Sequence, residues 1–209
     1  MEFHEFYKLP ILGILRGIEK HMIKPIVDVC ISSGLKAIEI TMNTENAPEL
    51  IKNMVKYSNG QIIVGAGTVL SMCDLEKAIN SGAKFIVMPT IIEDVILFCV
   101  KNNIPVFPGA LTPNEILKAW KMGASMVKVF PSSMFGPKYF KEIKSPLNKI
   151  KLMVCGGVNT DTISEYFLNG ASAAAFGASI FKTEWLQNNE YGMIEEKIKE
   201  LIIAYNDHK

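Results

Sequence analysis

Four times along this chain a polar or amphipathic stretch ends in glycine, and an apolar run follows within a few residues. Ser33-Gly34-Leu35-Lys36 precedes Ala37–Ile40, and Ser81-Gly82-Ala83-Lys84 precedes Phe85–Met88. Met122-Gly123-Ala124-Ser125 precedes Met126–Phe130, and Asn169-Gly170-Ala171-Ser172 precedes Ala173–Phe176. A glycine just past a helix is the usual left-handed cap, because it lacks the Cβ that penalises that conformation. A short apolar run without alternation reads as a strand buried on both faces. A chain that repeats helix, glycine and buried strand needs a mostly parallel sheet with helices covering it.

Extending the pattern predicts strands near 11–16, 37–42, 62–68, 85–90, 105–109, 126–131, 151–156 and 173–178. Helical patterns fall near 22–33, 46–57, 71–81, 92–102, 112–122, 137–144, 160–169 and 190–205. Ser71-x-x-Asp74 and Thr112-Pro113-Asn114-Glu115 look like N-caps with an acid in the first turn, and Glu93-Asp94 and Thr160-Asp161 put acids at helix starts. Eight strand–helix units suit either an open doubly wound sheet or a closed barrel. An open sheet would leave a shorter, more polar edge strand, and none is evident. The expectation is therefore a single (β/α)₈ TIM barrel over residues 1–209, with a short N-terminal helical segment.

Composition agrees with one large core: hydrophobic residues are 49% and charged residues 21%, with no linker-like break. Lys and Arg total 22 against 21 Asp and Glu, a formal charge of +1. That balance argues against nucleic acid or an anionic membrane as the main partner, since both favour a basic patch. The opening Met1-Glu2-Phe3-His4-Glu5 has two acids and no apolar core, so a secretory leader is not expected there, and apolar runs such as Val95–Val100 are too short to span a membrane. Cys30, Cys73, Cys99 and Cys155 lie far apart with no CxxC pair, so neither zinc nor a disulfide framework is expected, and the cytoplasm is the expected compartment. His4, His21 and His208 sit near the ends or in a predicted loop, poor positions for a catalytic histidine.

Barrel enzymes carry their chemistry at the C-terminal ends of the strands. Charges in buried strands are costly unless paired or used, and the predicted strands contain few: Arg16 ending the first, Glu39 in the second, Lys128 in the sixth and a peripheral Lys151 starting the seventh. One explanation is a buried Glu–Lys or Glu–Arg pair that only holds the barrel together. The chemical alternative starts from Lys128, flanked by Met126, Val127, Val129 and Phe130. Desolvation among such neighbours favours the free amine, which can form an imine with a ketone or aldehyde. Glu39 would then move protons, and Arg16 would grip a carboxylate through two parallel hydrogen bonds.

Gly156-Gly157-Val158 and Gly177-Ala178-Ser179 follow the last two predicted strands, where barrels often bind phosphate through backbone N–H groups; tight turns alone would also need these glycines. Gly65-Ala66-Gly67-Thr68 invites a dinucleotide reading, but it lacks a third glycine and an acid ending the next strand, and that reading is rejected.

With these residues in view, the chain resembles the class I aldolases that cleave 2-keto-3-deoxy-6-phosphogluconate, its galactonate epimer or 4-hydroxy-2-oxoglutarate. The match runs in order from about Pro10 to Phe181, through Ile14-Leu15-Arg16-Gly17, Ile38-Glu39-Ile40-Thr41, Val64-Gly65-Ala66-Gly67-Thr68-Val69, Phe107-Pro108-Gly109, Lys128-Val129-Phe130-Pro131 and Gly156-Gly157-Val158. The resemblance implies a Schiff base between Lys128 and pyruvate, with Glu39 as general acid/base. It implies that Thr68, Pro89, Phe130, Gly156 and Gly157 line the pocket and that Ser179 sits where these aldolases hold a phosphate. It further implies a homotrimer acting on a small keto acid, with no metal or other cofactor. Two departures stand out: Thr41-Met42-Asn43-Thr44 lacks the arginine many gluconate-type members carry, and Cys155 replaces a common threonine. The rival readings are a phosphosugar epimerase or isomerase on a similar barrel, in which Lys128 only pairs with Glu39, and a sugar-phosphate-binding paralogue without turnover.

Overall fold

A computed structural model describes residues 3–207; His208 and the ends of the predicted 1–209 span lie outside them. Nine strands form one sheet: β1 (Ile11–Leu15), β2 (Ala37–Thr41), β3 (Ile63–Gly67), β4 (Ile86–Val87), β5 (Val106–Phe107), β6 (Gly109–Ala110), β7 (Val127–Val129), β8 (Leu152–Cys155) and β9 (Ala173–Phe176). All pairings are parallel, in the order β5-β4-β3-β2-β1-β9-β8-β7-β6. The two outermost strands of that order are separated in the chain by Pro108 alone, so the sheet curls into a nearly closed barrel.

The helices are α1 (Ile23–Ser32), α2 (Ala47–Ser58), α3 (Met72–Asn80), α4 (Glu93–Lys101), α5 (Pro113–Lys121), α6 (Pro137–Lys144), α7 (Ile163–Leu168), α8 (Thr183–Gln187) and α9 (Tyr191–Asn206). Each of the four repeat glycines follows a helix in the left-handed region: Gly34 at φ +85°, Gly82 at +96°, Gly123 at +95° and Gly170 at +97°. The Ser71 hydroxyl accepts the Asp74 N–H, and Thr112 with Glu115 forms a complete capping box. Each cap is worth about 1 kcal/mol.

Three expectations need correction. The strand expected at 105–109 is two strands, because Pro108 accepts the Lys128 N–H at 2.9 Å but has no N–H to give back. The helix expected from 160 starts at Ile163, because the Asn159 side chain takes the N–H groups of Asp161 and Thr162 in a competing local turn. The short helix α8 falls where no element was expected. Where a short N-terminal helical segment was expected, residues Phe3–Lys8 form a 3₁₀ helix.

Side chains of a strand alternate between its two faces. One set packs between sheet and helices, Ile38, Ile40, Val127 and Val129 among them. The other points inward: Leu12, Ala37, Ile63, Phe85, Val87, Phe107, Met126, Met153, Cys155, Ala173 and Ala175. Phe3, Phe6, Phe85 and Phe107 close the N-terminal end with ring centroids 5.4 to 6.2 Å apart. Glu39 and Lys128 share the inward parity, each two residues beyond an inward-facing member, Ala37 and Met126. Among the described residues no helix is long and apolar enough to cross a membrane.

Candidate active site

A cavity of about 530 Å³ opens at the C-terminal ends of the strands. Every residue given a site role from the sequence lines it: Arg16, Glu39, Thr68, Pro89, Lys128, Phe130, Gly156, Gly157 and Ser179. Asn43 and Cys155, the two departures, line it as well.

Glu39 and Lys128 are the only buried charged side chains among the described residues, at 1% and 6% exposure. They do not form the direct pair that a purely structural role would require: neither Glu39 oxygen has a hydrogen-bond partner. An unpaired buried carboxylate is expensive in its ionised form. Burial accordingly pushes the Glu39 carboxyl up to about 7, while the charges of Lys128 and Arg16 pull the other way without prevailing. A carboxyl poised near neutrality can both take and give a proton.

Room for that carboxylate comes from a residue to which the sequence reading gave no role in the site. A methyl group on Gly67, in the neighbouring strand β3, would overlap Glu39 Oε1. The signal was present in the Gly65-Ala66-Gly67 spacing: two glycines two apart on a strand vacate the same face. Gly65 makes space for the Phe85 ring in the same way, so this segment serves the barrel interior.

Lys128 lies at the centre of β7, with Nζ 5.2 Å from the centroid of the Phe130 ring. Phe130 is 40% exposed at the mouth, an apolar wall beside the amine. Cys155 ends β8; burial pushes its thiol up, opposed by the nearby Lys128 charge. Arg16 corrects the sequence reading in one respect. It lies just past β1 and is exposed, so it is a rim residue. Its Nη2 donates to Thr68 Oγ1 at 3.4 Å. Thr68 has φ +53°, uncommon for a β-branched residue and costing about 1–3 kcal/mol, and it holds its hydroxyl over the cavity.

The opposite wall is built of backbone. Gly156 and Gly157 take φ +101° and +76° in succession, and the turn packs closely on Ser132 and Ser133. Ser132 Oγ donates to Val129 O and accepts the Cys155 N–H, tying the end of the lysine strand to this turn. Ser179 donates to Val158 O at 2.8 Å. Among the described residues no three His, Cys, Asp or Glu side chains group so as to hold a metal ion.

A buried amine, an unpaired carboxyl, a cationic rim and a glycine turn thus surround one small cavity. Comparison with known proteins matches residues 4–197 to the model of the family described as KDPG and KHG aldolase. The 2-dehydro-3-deoxy-6-phosphogalactonate aldolase of Escherichia coli (strain K12) is 33% identical over 176 residues, 84% of this chain and 86% of its own. The 2-dehydro-3-deoxy-phosphogluconate aldolase of Haemophilus influenzae is 30% identical over 181 residues, 86% of this chain and 85% of its own. A solved structure described as native KDPGal superposes with a TM-score of 0.90 at 30% identity, covering 96% of each chain.

Proposed function

The chain belongs to the KDPG and KHG aldolase family, whose members are lyases, and on that premise we propose that it releases pyruvate from a small keto acid through an imine on Lys128. The observation that carries this reading is the placement of Lys128 and Glu39, buried and not bonded to each other, over one cavity.

The Lys128 amine adds to the C2 ketone to give a carbinolamine, and Glu39 supplies the proton with which water departs. The resulting iminium draws electrons from the C3–C4 bond. Glu39, now a carboxylate, takes the C4 hydroxyl proton as that bond breaks and an aldehyde leaves. The remaining enamine is protonated at C3, and water hydrolyses the iminium to pyruvate and free Lys128. Arg16 and Thr68 hold the carboxylate, while Phe130 and Pro89 wall the keto end. The Gly156-Gly157 turn and Ser179 receive the far end of the substrate, a phosphate where one is present.

The substrate is a 2-keto-3-deoxy-6-phospho sugar acid of gluconate or galactonate type, giving glyceraldehyde 3-phosphate, or 4-hydroxy-2-oxoglutarate, giving glyoxylate. Comparing kcat/KM for these three, read as pyruvate release, selects among them. The same reading takes β5 and β6 as one barrel stave interrupted at Pro108, which makes eight units in one domain of residues 1–209. It includes a homotrimer in the cytoplasm, the latter supported by four free cysteines. Borohydride reduction in the presence of pyruvate tests the core of the proposal: a stable adduct on Lys128 is expected. Pyruvate bound without an adduct would favour the epimerase or non-catalytic reading.

A further inference from the structure

Arg16 is exposed, and its Thr68 contact is long, at 3.4 Å. A side chain with so many rotatable bonds, held so lightly, is aimed chiefly by the backbone it leaves. That backbone turns sharply at the next residue, Gly17, with φ +64°. The Gly17 N–H donates to Thr44 Oγ1 at 3.0 Å, across 27 residues of sequence. Thr44 Oγ1 in turn lies 3.0 Å from Thr41 Oγ1, and the Thr44 N–H donates to Thr41 O at 2.9 Å. Both threonines are buried, at 0% and 5% exposure, and Thr41 is the last residue of β2, two beyond Glu39.

The hydroxyl at position 44 does what no apolar side chain can: it accepts from Gly17 while sharing a second hydrogen bond with Thr41. The pair joins the strand that carries Glu39 to the turn that launches Arg16. We infer that Thr44 is a positioning residue for the substrate carboxylate, acting through the Gly17 turn to hold Arg16 over the cavity. The inference rests on the reading of Arg16 as the carboxylate's partner.

The test measures the pyruvate concentration giving half-maximal borohydride trapping on Lys128, together with the maximal trapping rate. Thr44→Val is expected to raise the half-saturating concentration about three- to tenfold, the worth of one hydrogen bond, with the maximal rate unchanged. Thr44→Ser, which keeps the hydroxyl, restores the wild-type value. Arg16→Ala raises the concentration on its own, and adding Thr44→Val to it has no further effect. Should Thr44→Val fold poorly because Thr41 is left unpaired, the double variant Thr41→Val/Thr44→Val removes both hydroxyls and still frees the Gly17 N–H. Its half-saturating concentration rises likewise.

An unchanged half-saturation in the valine variants, with Arg16→Ala raised, overturns the role of Thr44 alone. A fall in maximal rate without a rise in half-saturation, or an equal added effect in the Arg16→Ala background, overturns it too. An Arg16→Ala variant that saturates like the wild type sinks the reading of Arg16, and the role of Thr44 with it.

Discussion

Gly65 and Gly67 sit two residues apart on the inner face of β3, and the difference between their neighbours divides the barrel into two halves. The space beside Gly65 is filled by the Phe85 ring, part of the aromatic plug that closes the N-terminal end. The space beside Gly67 is filled by the Glu39 carboxylate, which faces the cavity at the C-terminal end. Below, every inward side chain is apolar and close-packed. One pleat higher, the same faces present an unpaired acid and an amine. The lower half secures the fold, and the upper half accepts the cost of desolvated polar groups for the chemistry they allow. The same lesson holds for any strand of this barrel: depth along the strand decides what an inward residue does.

The largest expected effect breaks the upper half alone. Lys128→Ala removes the amine on which the imine forms, and pyruvate release should fall by at least about a thousandfold. The fold should survive, because the variant removes a buried charge that is not bonded to Glu39. Steady-state kinetics beside a thermal melt checks both statements. A variant that unfolds would instead point to Lys128 as a structural partner in the core.

The next effect sharpens the contrast by placing the same methyl group at both levels. In Gly65→Ala the added Cβ meets a rigid, fully buried ring, so overpacking should cost about 3 kcal/mol in chemical denaturation, with activity per folded molecule largely retained. In Gly67→Ala the obstacle is the end of a flexible side chain that can swing aside. Stability should then change by less than about 1 kcal/mol, while turnover drops about a hundredfold because the displaced carboxyl no longer reaches its proton-transfer position. If the two variants lose stability and activity in the same proportion, the division of labour between the two ends is wrong.

Much of this arrangement was legible in the sequence because it depends on local rules. The glycine at each helix end had to adopt positive φ, and Gly34, Gly82, Gly123 and Gly170 all do. Lys128 and Glu39 stood out as charges inside apolar runs, and strand parity brings both inward. What the sequence did not disclose depends on contacts between distant elements. Gly67 matters because β2 and β3 pair in the register that sets Glu39 beside Gly65, a register with no local signal. Arg16 reads as part of a strand in sequence, yet the ladder ends at Leu15 and leaves it on the rim. The division at Pro108 follows from a missing donor, and the apolar run around it hides that. Helix α8 is five residues long, too short for any periodicity to register.

The pH dependence of stability is the effect most specific to the upper half. The Glu39 carboxyl, ordinarily at 4.5, is raised to about 7 by burial. Between those values the folded chain keeps a proton that the unfolded chain has released, so stability falls as pH rises and levels off above about 7. Over the interval from pH 5 to pH 7 this amounts to about 2 kcal/mol. Glu39→Gln cannot ionise and should lack this contribution. The stability of the wild type relative to Glu39→Gln should therefore decline by that amount between the two pH values, measured by urea denaturation at each. A constant difference would mean that the carboxyl does not feel its burial. Although Glu39 is its partner across the ladder, a methyl group on Gly65 would meet the Phe85 ring and not the carboxyl, so the stability lost in Gly65→Ala should be the same at both pH values. The two glycines of one strand would then be told apart by pH as well as by activity.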